Sequence, residues 1–433
     1  MVVAGGRPRY ADGMKNTTTT KSLRCSLSVF AQIVHLIPPG LVDRLAEGAK
    51  IKARVFSYAH QVYSLLLGQL AGAFSLNEIC DAQQVHRKKL FRIRGILPAK
   101  RNTFSNANRT RDPAIPERLY WELYRRLTSS FTDFLRRPHK GALARFRFRR
   151  IFAVDATVLQ LTLNSIDWAK HRKRKAAAKL HMRCDVASRL PSFAVVTSGH
   201  VADCRLMAEL SENLQAGDVA IFDRAYNDFR ELFRLEAKGV FFVVRAKNPM
   251  RYGVPKGQPC KKLPANILED ERIVLTGKES SKKYPGKIRR IRARVKVDGK
   301  MREMVFLTNN FEWAAGTIAD LYKARWEVET LFKELKQTLQ LRDFYGENEN
   351  AVKWQVWTAL LAHLLLQFLC WQSKWHGSYT RFVGVVKAAL WERTDLMGLL
   401  AVYGTAPPPP EAVRRERTPI LKGFEKKWLA AMG

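Results

Sequence analysis

The sequence predicts an α/β protein in which a mixed β-sheet with a β-rich insertion follows an all-α N-terminal domain and precedes a helical tail. Three observations predict this. The chain has 433 residues, more than one hydrophobic core usually serves, so about two or three domains are expected. Apolar residues make up 46% of it, enough for packed cores. The hydrophobic periodicity is helical up to residue 136 and changes to continuous apolar runs after residue 150.

The N-terminal part of the chain predicts two segments. Residues 1–25 are polar and Thr-rich and are predicted to be disordered, and residues 26–140 are predicted to be a helical DNA-binding domain. Within it, Ser75-Leu76-Asn77-Glu78 is a capping box, in which Ser75 caps a helix and Glu78 reaches back. The helix leads into His86-Arg87-Lys88-Lys89, and a short basic helix suits a DNA groove. A solvated helix face explains this charge about as well.

The pattern after residue 150 predicts a sheet. Ile151–Val154 is an apolar run that stops at Asp155, and Val219–Phe222 is another that stops at Asp223. The remaining predicted elements are strands at 157–163, 179–186, 192–199 and 240–245 and helices at 204–215 and 227–238. Three strands followed by alternating helices and strands is the order of a ribonuclease-H-like sheet. This domain is predicted over 141–246 and 311–375.

The second half of the chain predicts an insertion and several helices. Residues 247–310 are rich in Gly, Pro and Lys and contain β-type runs, which predicts a β-rich insertion separate from the core sheet. A long helix is predicted from 315 to 339. Trp357–Trp371 is apolar but short for a bilayer span, which predicts a buried helix. A helical, basic tail is predicted over 376–433.

The net charge of the chain limits the kinds of partner that it is expected to bind. The chain has 75 Lys and Arg against 39 Asp and Glu, a net charge of +36. A folded protein with this excess is expected to bind DNA, RNA or an acidic membrane surface. The N-terminus has no apolar run of signal-peptide length, and the six cysteines form no CxxC pair. These features argue against export, a zinc ribbon and a disulfide scaffold, and they favour the cytoplasm.

Asp155 and Asp223 are candidate metal ligands because each follows a predicted buried strand, where a rigid backbone exposes one side chain at the sheet edge. Acidic residues also end strands as turn formers, so neither aspartate decides the matter alone. The third candidate is Glu329 in the predicted long helix. Three carboxylates in one groove repel one another unless cations neutralise them, and hard oxygen ligands select Mg²⁺, for which Mn²⁺ can substitute.

The helix that carries Glu329 presents further polar groups. Tyr322, Arg325, Glu329 and Lys336 fall within roughly 60° on one side of an α-helix, at about 100° per residue. An ordinary amphipathic helix with charge pairs is the plain alternative. Beside three carboxylates, Arg325 and Lys336 are suited to hold phosphates. Two metal ions there support in-line attack on a phosphodiester.

These residues resemble a known pattern. Tyr322-x2-Arg325-x3-Glu329-x6-Lys336 is similar to the Y-x2-R-x3-E-x6-K signature of bacterial insertion-sequence family 4 DDE transposases. Asp223-Arg224-Ala225-Tyr226 resembles the block around the second catalytic aspartate of that family, and Asp155 stands where its first does. The resemblance covers roughly 150–372, and the Ser75–Arg109 region is similar to the domain that often precedes it.

The resemblance implies a DNA transposase that cuts and pastes its own insertion sequence. It implies that Asp155, Asp223 and Glu329 are catalytic and bind metal. It implies as partners the terminal inverted repeats and target DNA, a homodimer in the DNA complex, no membrane, and a cytoplasmic, nucleoid-associated location. The side chains predicted to contact DNA are Tyr322, Arg325, Lys336, Arg224, Tyr226, Arg172, Lys173, Arg174 and Trp313.

Four members of that set rest on separate reasoning: Arg172, Lys173, Arg174 and Trp313. The basic turn that contains Arg172 is predicted to contact phosphates, although a solvated turn would look the same. Trp313 is the candidate platform for a flipped base, whereas Trp326 is predicted to be a core residue. Two other functions remain open: a metal-dependent nuclease without strand transfer, and a domesticated DNA-binding protein without catalysis.

Overall fold

In a computed structural model, the described part of the chain forms one ten-stranded mixed sheet with hydrophobic cores on both of its faces. Most of the predicted disordered N-terminus, and the tail beyond residue 404, lie outside the described residues. The structure describes residues 24–53, 55–139, 141–146, 149–161, 170–172, 175–247, 249–256, 263–297 and 300–404.

In the described N-terminal part, the helices before the sheet are α1 (Val29–Val34), α2 (Leu41–Leu45), α3 (Tyr58–Ala71), α4 (Leu76–Val85), α5 (Arg87–Phe91), α6 (Arg101–Thr110), α7 (Ala114–Ser130) and α8 (Thr132–Leu135). The predicted capping box starts α4. The Glu78 N–H donates to Ser75 Oγ at 3.2 Å, and Glu78 Oε2 reaches back to accept from the N–H of Phe74 at 3.0 Å. The helical expectation for this region is thereby confirmed.

The strands are β1 (Ile151–Leu161), β2 (Lys170–Arg172), β3 (Lys175–Asp185), β4 (Leu190–Ser198), β5 (Val219–Phe222), β6 (Phe241–Arg245), β7 (Tyr252–Gly253), β8 (Ile267–Leu275), β9 (Lys287–Val297) and β10 (Lys300–Thr308). Their order is β2-β3-β1-β5-β6-β10-β9-β8-β7, and β4 pairs with β3. Strands β1, β5 and β6 are parallel, with Val154, Phe222 and Val244 level with one another. Their carboxyl ends therefore meet at one edge of the sheet.

The later helices are α9 (Met207–Leu210), α10 (Phe229–Ala237), α11 (Lys278–Lys283), α12 (Ala315–Lys323), α13 (Trp326–Gln337), α14 (Glu349–Gln372), α15 (Tyr379–Ala388) and α16 (Leu396–Tyr403). Helix α14 is long and apolar enough to cross a membrane, but 89% of its apolar window is buried. Its Trp357 ring packs on Tyr120 and Trp121 of α7. The prediction of a buried helix here is confirmed.

The expectation that the insertion stands apart from the core sheet is wrong. Strand β10 pairs antiparallel with β6, from Phe306–Thr308 to Val243–Arg245, and β9, β8 and β7 extend the same sheet. The physical reason is that β6 would otherwise end the sheet with unpaired backbone groups. The apolar end of β10, with Phe306 and Leu307 fully buried, covers that edge.

Three predicted elements also differ in extent. Strand β1 does not stop at Asp155, because its second half pairs with β3 after its pairing with β5 has ended. The helix predicted over 204–215 is a 3₁₀ turn, Asp203–Leu206, followed by the single turn α9. The helix predicted over 315–339 is broken between α12 and α13 by a tight turn, in which the Arg325 N–H donates to the Tyr322 carbonyl at 3.1 Å.

Candidate active site

Two aspartates lie at the carboxyl edge of the parallel strands. Asp155 lies in β1 one residue beyond its last pair with β5, and Asp223 directly follows β5. Asp155 is held by its own backbone neighbour, since the Ala156 N–H donates to Asp155 Oδ1 at 2.8 Å. The β1–β5 register places the two carboxylates on adjacent strands of one edge, as the sequence predicted.

Helices α12 and α13 bring the four signature side chains to this edge. The Tyr322 hydroxyl donates to Asp223 Oδ1 at 2.9 Å. Arg325 donates through Nη1 to Asp155 and through Nη2 to Glu329 Oε1, the latter at 2.6 Å. The Lys336 ammonium donates to the Thr157 hydroxyl at 2.6 Å and to the Val158 carbonyl at 2.8 Å. The signature therefore lies along the carboxyl end of β1 and β5.

The turn between the two helices positions Arg325. Both the Ala324 and Val328 N–H groups bond three residues back, to Leu321 and Arg325, as in a 3₁₀ helix. The apolar side of the helix pair is anchored as predicted, because its members are all buried: Leu321, Val328, Leu331, Phe332, Leu335 and Leu339. The polar side is thus presented to the sheet edge by a rigid support.

The electrostatics of this edge are those of crowded carboxylates. Burial raises the pKa of Asp155 to about 6; Asp223 and Glu329 raise it too, while Arg325 and the Ala156 N–H oppose the rise. Burial also raises the pKa of the Tyr322 hydroxyl to about 12, so it remains a hydrogen-bond donor at neutral pH. Burial disfavours the charge on Arg325, yet the carboxylate of Asp155 keeps its pKa above the usual value.

A groove of about 420 Å³ opens beside Asp155 and Glu329. Its wall carries Lys336 together with cations and an amide that the signature does not include, namely Lys333, Gln337 and Arg342. Lys333 lies one turn before Lys336 on α13, a spacing that could have identified it. The groove therefore places positive charge directly beside the carboxylates.

A second groove, of about 400 Å³, lies at the carboxyl ends of β5 and β6. Arg224 lines this groove with an exposed side chain, and its DNA contact stays a prediction. Arg245 and Lys247 line the same groove, and one acidic side chain, Glu303, lies opposite them. Arg245 ends β6 and Lys247 follows it closely, so the rule that drew attention to Asp155 and Asp223 could have identified them.

Tyr226 is not placed for DNA contact, which corrects the sequence prediction. It is fully buried in the turn behind Asp223, with its ring 6.1 Å from that of Phe222. Burial, followed by Asp203, raises the pKa of its hydroxyl far above the usual value. Asp203 is itself bound by Lys179 at 2.9 Å. Tyr226 therefore supports the Asp223 turn from within the hydrophobic core that also contains Phe222.

Trp313 and Trp326 both lie elsewhere than the sequence predicts. Trp313 packs edge-on against Phe146 and against Phe241 at the amino end of β6. It lies at the opposite edge of the sheet from Asp223, so the structure does not bring it to the carboxylates. The sequence predicts Trp326 as a core residue, but it is 37% exposed, because the turn at Arg325 rotates it away from the core.

The basic turn near β1 is only partly described. Arg172 is the last residue of β2, and the structure describes its backbone but not its side chain. Lys173 and Arg174 lie outside the described residues. Their predicted phosphate contacts stay predictions.

The carboxylates are not gathered as a ready-made metal site. Within the described ranges, no three side chains of Asp, Glu, His or Cys are grouped closely enough to hold an ion. The guanidinium of Arg325 lies between Asp155 and Glu329 instead. The oxygen donors suit a hard divalent cation in kind, and the positive charge that neutralises them in this arrangement is that of an arginine.

Comparison with known families gives two matches. Residues 146–365, about half of the chain, match the family described as Transposase DDE domain. Residues 26–94 match a domain of unknown function.

Individual proteins are similar over longer stretches. The protein y4zB of Sinorhizobium fredii, named as a transposase, is 30% identical over 61% of this chain and 72% of its own length. A Geobacillus stearothermophilus protein, named as the transposase of insertion sequence element IS5377, is 29% identical over 51% of this chain and 57% of its own length. The solved piggyBac transposase synaptic complex with hairpin DNA aligns with 89% of this chain and 83% of that chain, at 12% identity and a TM-score of 0.42.

Proposed function

The chain belongs to the DDE transposase family and is a DNA transposase, and from that premise we propose that Asp155, Asp223 and Glu329 are its catalytic residues. The convergence of Tyr322, Arg325 and Glu329 on the two aspartates carries the proposal. The reaction is end cleavage followed by strand transfer, each an in-line attack on a phosphodiester, which moves an insertion sequence by cut and paste.

The side chains at the site have different roles, which follow from their positions. Tyr322 holds Asp223 by its hydroxyl, and Arg325 holds Asp155 and Glu329. When a DNA strand enters the groove, Lys336 on its wall holds a phosphate as a point charge, and Arg325, behind Asp155 and Glu329, holds another by a bidentate fork. Lys333 and Arg342 extend the same cationic wall. Arg224 contacts DNA from the second groove.

DDE transposases generally depend on divalent metal ions, and we propose Mg²⁺, with Mn²⁺ as a substitute, bound by Asp155, Asp223 and Glu329. The donor chemistry fits, because burial and the carboxylates of Asp223 and Glu329 raise the pKa of Asp155, and a bound cation would offset that rise. A bound divalent ion would supply Lewis-acid activation of the phosphodiester. Arg325 must then exchange its carboxylate partners for phosphate.

The wider assignments follow the same reasoning. We propose that β1–β6 with α12 and α13 form a ribonuclease-H-like core over 141–246 and 311–375, with residues 26–140 as the DNA-binding domain and 247–310 as the insertion. The partners are terminal inverted repeats and target DNA, bound by a homodimer in the cytoplasm at the nucleoid. Trp326, exposed beside Arg325, replaces Trp313 as the platform for a flipped base.

The test uses full-length protein, Mg²⁺ and duplex DNA carrying the ends of its own element. We expect cleavage by the wild type and none by Asp155→Ala, Asp223→Ala or Glu329→Ala, a loss of at least about 10³-fold, with end binding retained. Cleavage that survives any of these substitutions would contradict the assignment of that residue. Cleavage without joining to a target would favour the nuclease alternative.

A further inference from the structure

We propose that helix α6 reads the sequence of duplex DNA from the major groove, and so selects the ends on which this transposase acts. The inference rests on the proposed function, because a transposase has to recognise its own element. The groups at the carboxyl edge of the sheet are carboxylates and phosphate-binding cations, which carry no sequence information. A separate element is needed to read bases.

The composition of α6 is unusual for a surface helix. It reads Arg-Asn-Thr-Phe-Ser-Asn-Ala-Asn-Arg-Thr from Arg101 to Thr110. Asn, Ser and Thr are weak helix formers because their side chains compete for backbone hydrogen bonds. Exposed helix positions ordinarily favour Ala, Glu, Lys and Gln, since packing does not decide there. A surface that departs from local helix propensity in this way indicates selection for contact with a ligand.

The exposed face of α6 carries the side chains that recognise bases. Five residues of the helix are exposed: Arg101, Asn102, Thr103, Asn106 and Arg109. Asn102, Asn106 and Arg109 follow one another at intervals of four and three residues and therefore share a face. In the major groove, Asn pairs with adenine and Arg with guanine, each through two hydrogen bonds. Arg109 Nη2 donates to Asn106 Oδ1 at 2.9 Å, which holds the guanidinium along this face.

The opposite face of α6 is fixed in the protein core. Phe104 is fully buried, and Asn108 accepts a hydrogen bond from Gln61 Nε2 of α3 at 2.9 Å. Just beyond the helix, Arg111 donates to Gln61 Oε1 at 2.9 Å. Phe104 belongs to the same hydrophobic core as Leu331 of α13. The reading face is therefore rigidly connected to the helix that carries Glu329.

The surroundings of α6 favour DNA as the occupant of this face. Between Ala82 and Thr110 the chain contains eight Lys and Arg residues and no Asp or Glu. Lys88, Lys89 and Arg92, on and after α5, are exposed. A helix lying in the major groove needs cations on either side to meet the phosphate backbones. The charge of this surface is complementary to DNA.

The experiment measures sequence preference with full-length protein. A duplex is selected by the wild type from a randomised pool, and its affinity is divided by that of a shuffled duplex of equal composition. We expect Asn102→Ala to lower this ratio roughly 5- to 100-fold, the value of one bidentate base contact, with unchanged affinity for the shuffled duplex. Its melting temperature should be unchanged or higher, because Ala is the better helix former.

The matched control is Asn266→Ala, which removes another exposed asparagine, in the loop before β8, and should leave the ratio unchanged. A wild type without sequence preference, or an Asn102→Ala variant with the wild-type ratio, would overturn the reading role of α6. Cleavage of the selected duplex with Mg²⁺ is scored separately. A preference that depends on α6 in a protein that never cuts would contradict the catalytic assignment alone.

Discussion

Two arginines in this molecule neutralise carboxylates in opposite ways. Arg289 in the insertion forms a two-pronged pair with Asp270, at 2.7 and 2.8 Å, and donates to the Asn310 and Trp313 carbonyls. The side chains of the pair are only 4% and 6% exposed. Each nitrogen of this guanidinium has a fixed partner, so the pair ties β8 and β9 to the chain that leads into α12.

Arg325 is shared between two carboxylates on the wall of an open groove. Its partners Asp155 and Glu329 are 19% and 47% exposed, and its own Nε has no hydrogen-bond partner among the described residues. A saturated, dry ion pair is part of the framework, whereas a shared, partly wet one can exchange partners. The difference between the two arginines therefore distinguishes a structural ion pair, at Arg289, from one in the candidate active site, at Arg325.

The largest effect on folding is expected from breaking the buried Arg289–Asp270 pair. Asp270→Ala should lower the free energy of unfolding by about 3–5 kcal/mol, because it leaves Arg289 charged and buried without its counterion. Denaturant-induced unfolding measures this. Glu303→Ala, which removes partly exposed pairs to Arg292 and Arg294, is the control and should cost about 0–1 kcal/mol. Equal losses for the two variants would refute the structural role of the buried pair.

Substitution of Asp155, beside the open groove, should raise the free energy of unfolding instead of lowering it. Burial, with help from Asp223 and Glu329, raises the pKa of Asp155 to about 6, whereas an aspartate of the unfolded chain titrates near about 4. Between these values the folded state binds more protons, so the contribution of Asp155 to stability falls as pH rises through 6. Asp155→Asn should therefore stabilise the protein by about 1–3 kcal/mol at pH 7.

The pH dependence provides the control for that prediction. The stability advantage of the Asp155→Asn variant should shrink as the pH falls from 7 to about 4, because the carboxyl group of the folded wild type then becomes neutral like the amide. Thermal unfolding of both proteins across this pH range follows the difference. A gain that is the same at all pH values would show that it does not arise from the ionisation of Asp155.

A smaller effect is expected on cation affinity. Arg325→Gln removes a positive charge that competes for Asp155 and Glu329, and it should tighten Ca²⁺ binding roughly tenfold in titration calorimetry without DNA. Lys333→Gln lies in the same groove but has no bond to these carboxylates in the described structure, so its effect should be weaker. Weaker Ca²⁺ binding by Arg325→Gln would argue against exchange at this site.

The smallest expected effect concerns salt dependence. Arg290 is bound to Glu269 and Glu271 within the insertion, so much of the charge of β9 is neutralised internally. Lys333 faces the groove beside the carboxylates. Lys333→Gln should reduce the log–log slope of DNA affinity against salt by about 0.9, one phosphate contact, and Arg290→Gln should leave it unchanged. Equal changes in slope for the two variants would indicate that the insertion also contacts DNA.

The family and the general architecture could be predicted from the sequence. The family resemblance drawn from Tyr322, Arg325, Glu329 and Lys336 is confirmed, and the mixed sheet with helical parts before and after it is confirmed. Fixed spacing on one helix face is local information that a sequence carries directly. The roles of the individual residues stay predictions.

The largest error arises from a contact between distant segments. The pairing of β10 with β6 joins residues some 60 positions apart, from Phe306 to Arg245, and no local pattern encodes it. The motif predicts a DNA contact for Tyr226, whereas the 3₁₀ turn after Asp223 directs its ring into the core. The break at Arg325 is accompanied by an ion pair with Asp155, which lies 170 positions away.

The most direct test of the difference between the two arginine clusters is the rate of Mg²⁺-dependent cleavage of end-containing duplex, measured below the melting temperature of every variant. Glu329→Gln should abolish cleavage while the protein stays folded, and Asp270→Ala should cut at the wild-type rate per folded molecule. Cleavage at the wild-type rate by Glu329→Gln, or its loss in folded Asp270→Ala, would contradict the assignment of the open cluster as the cutting centre.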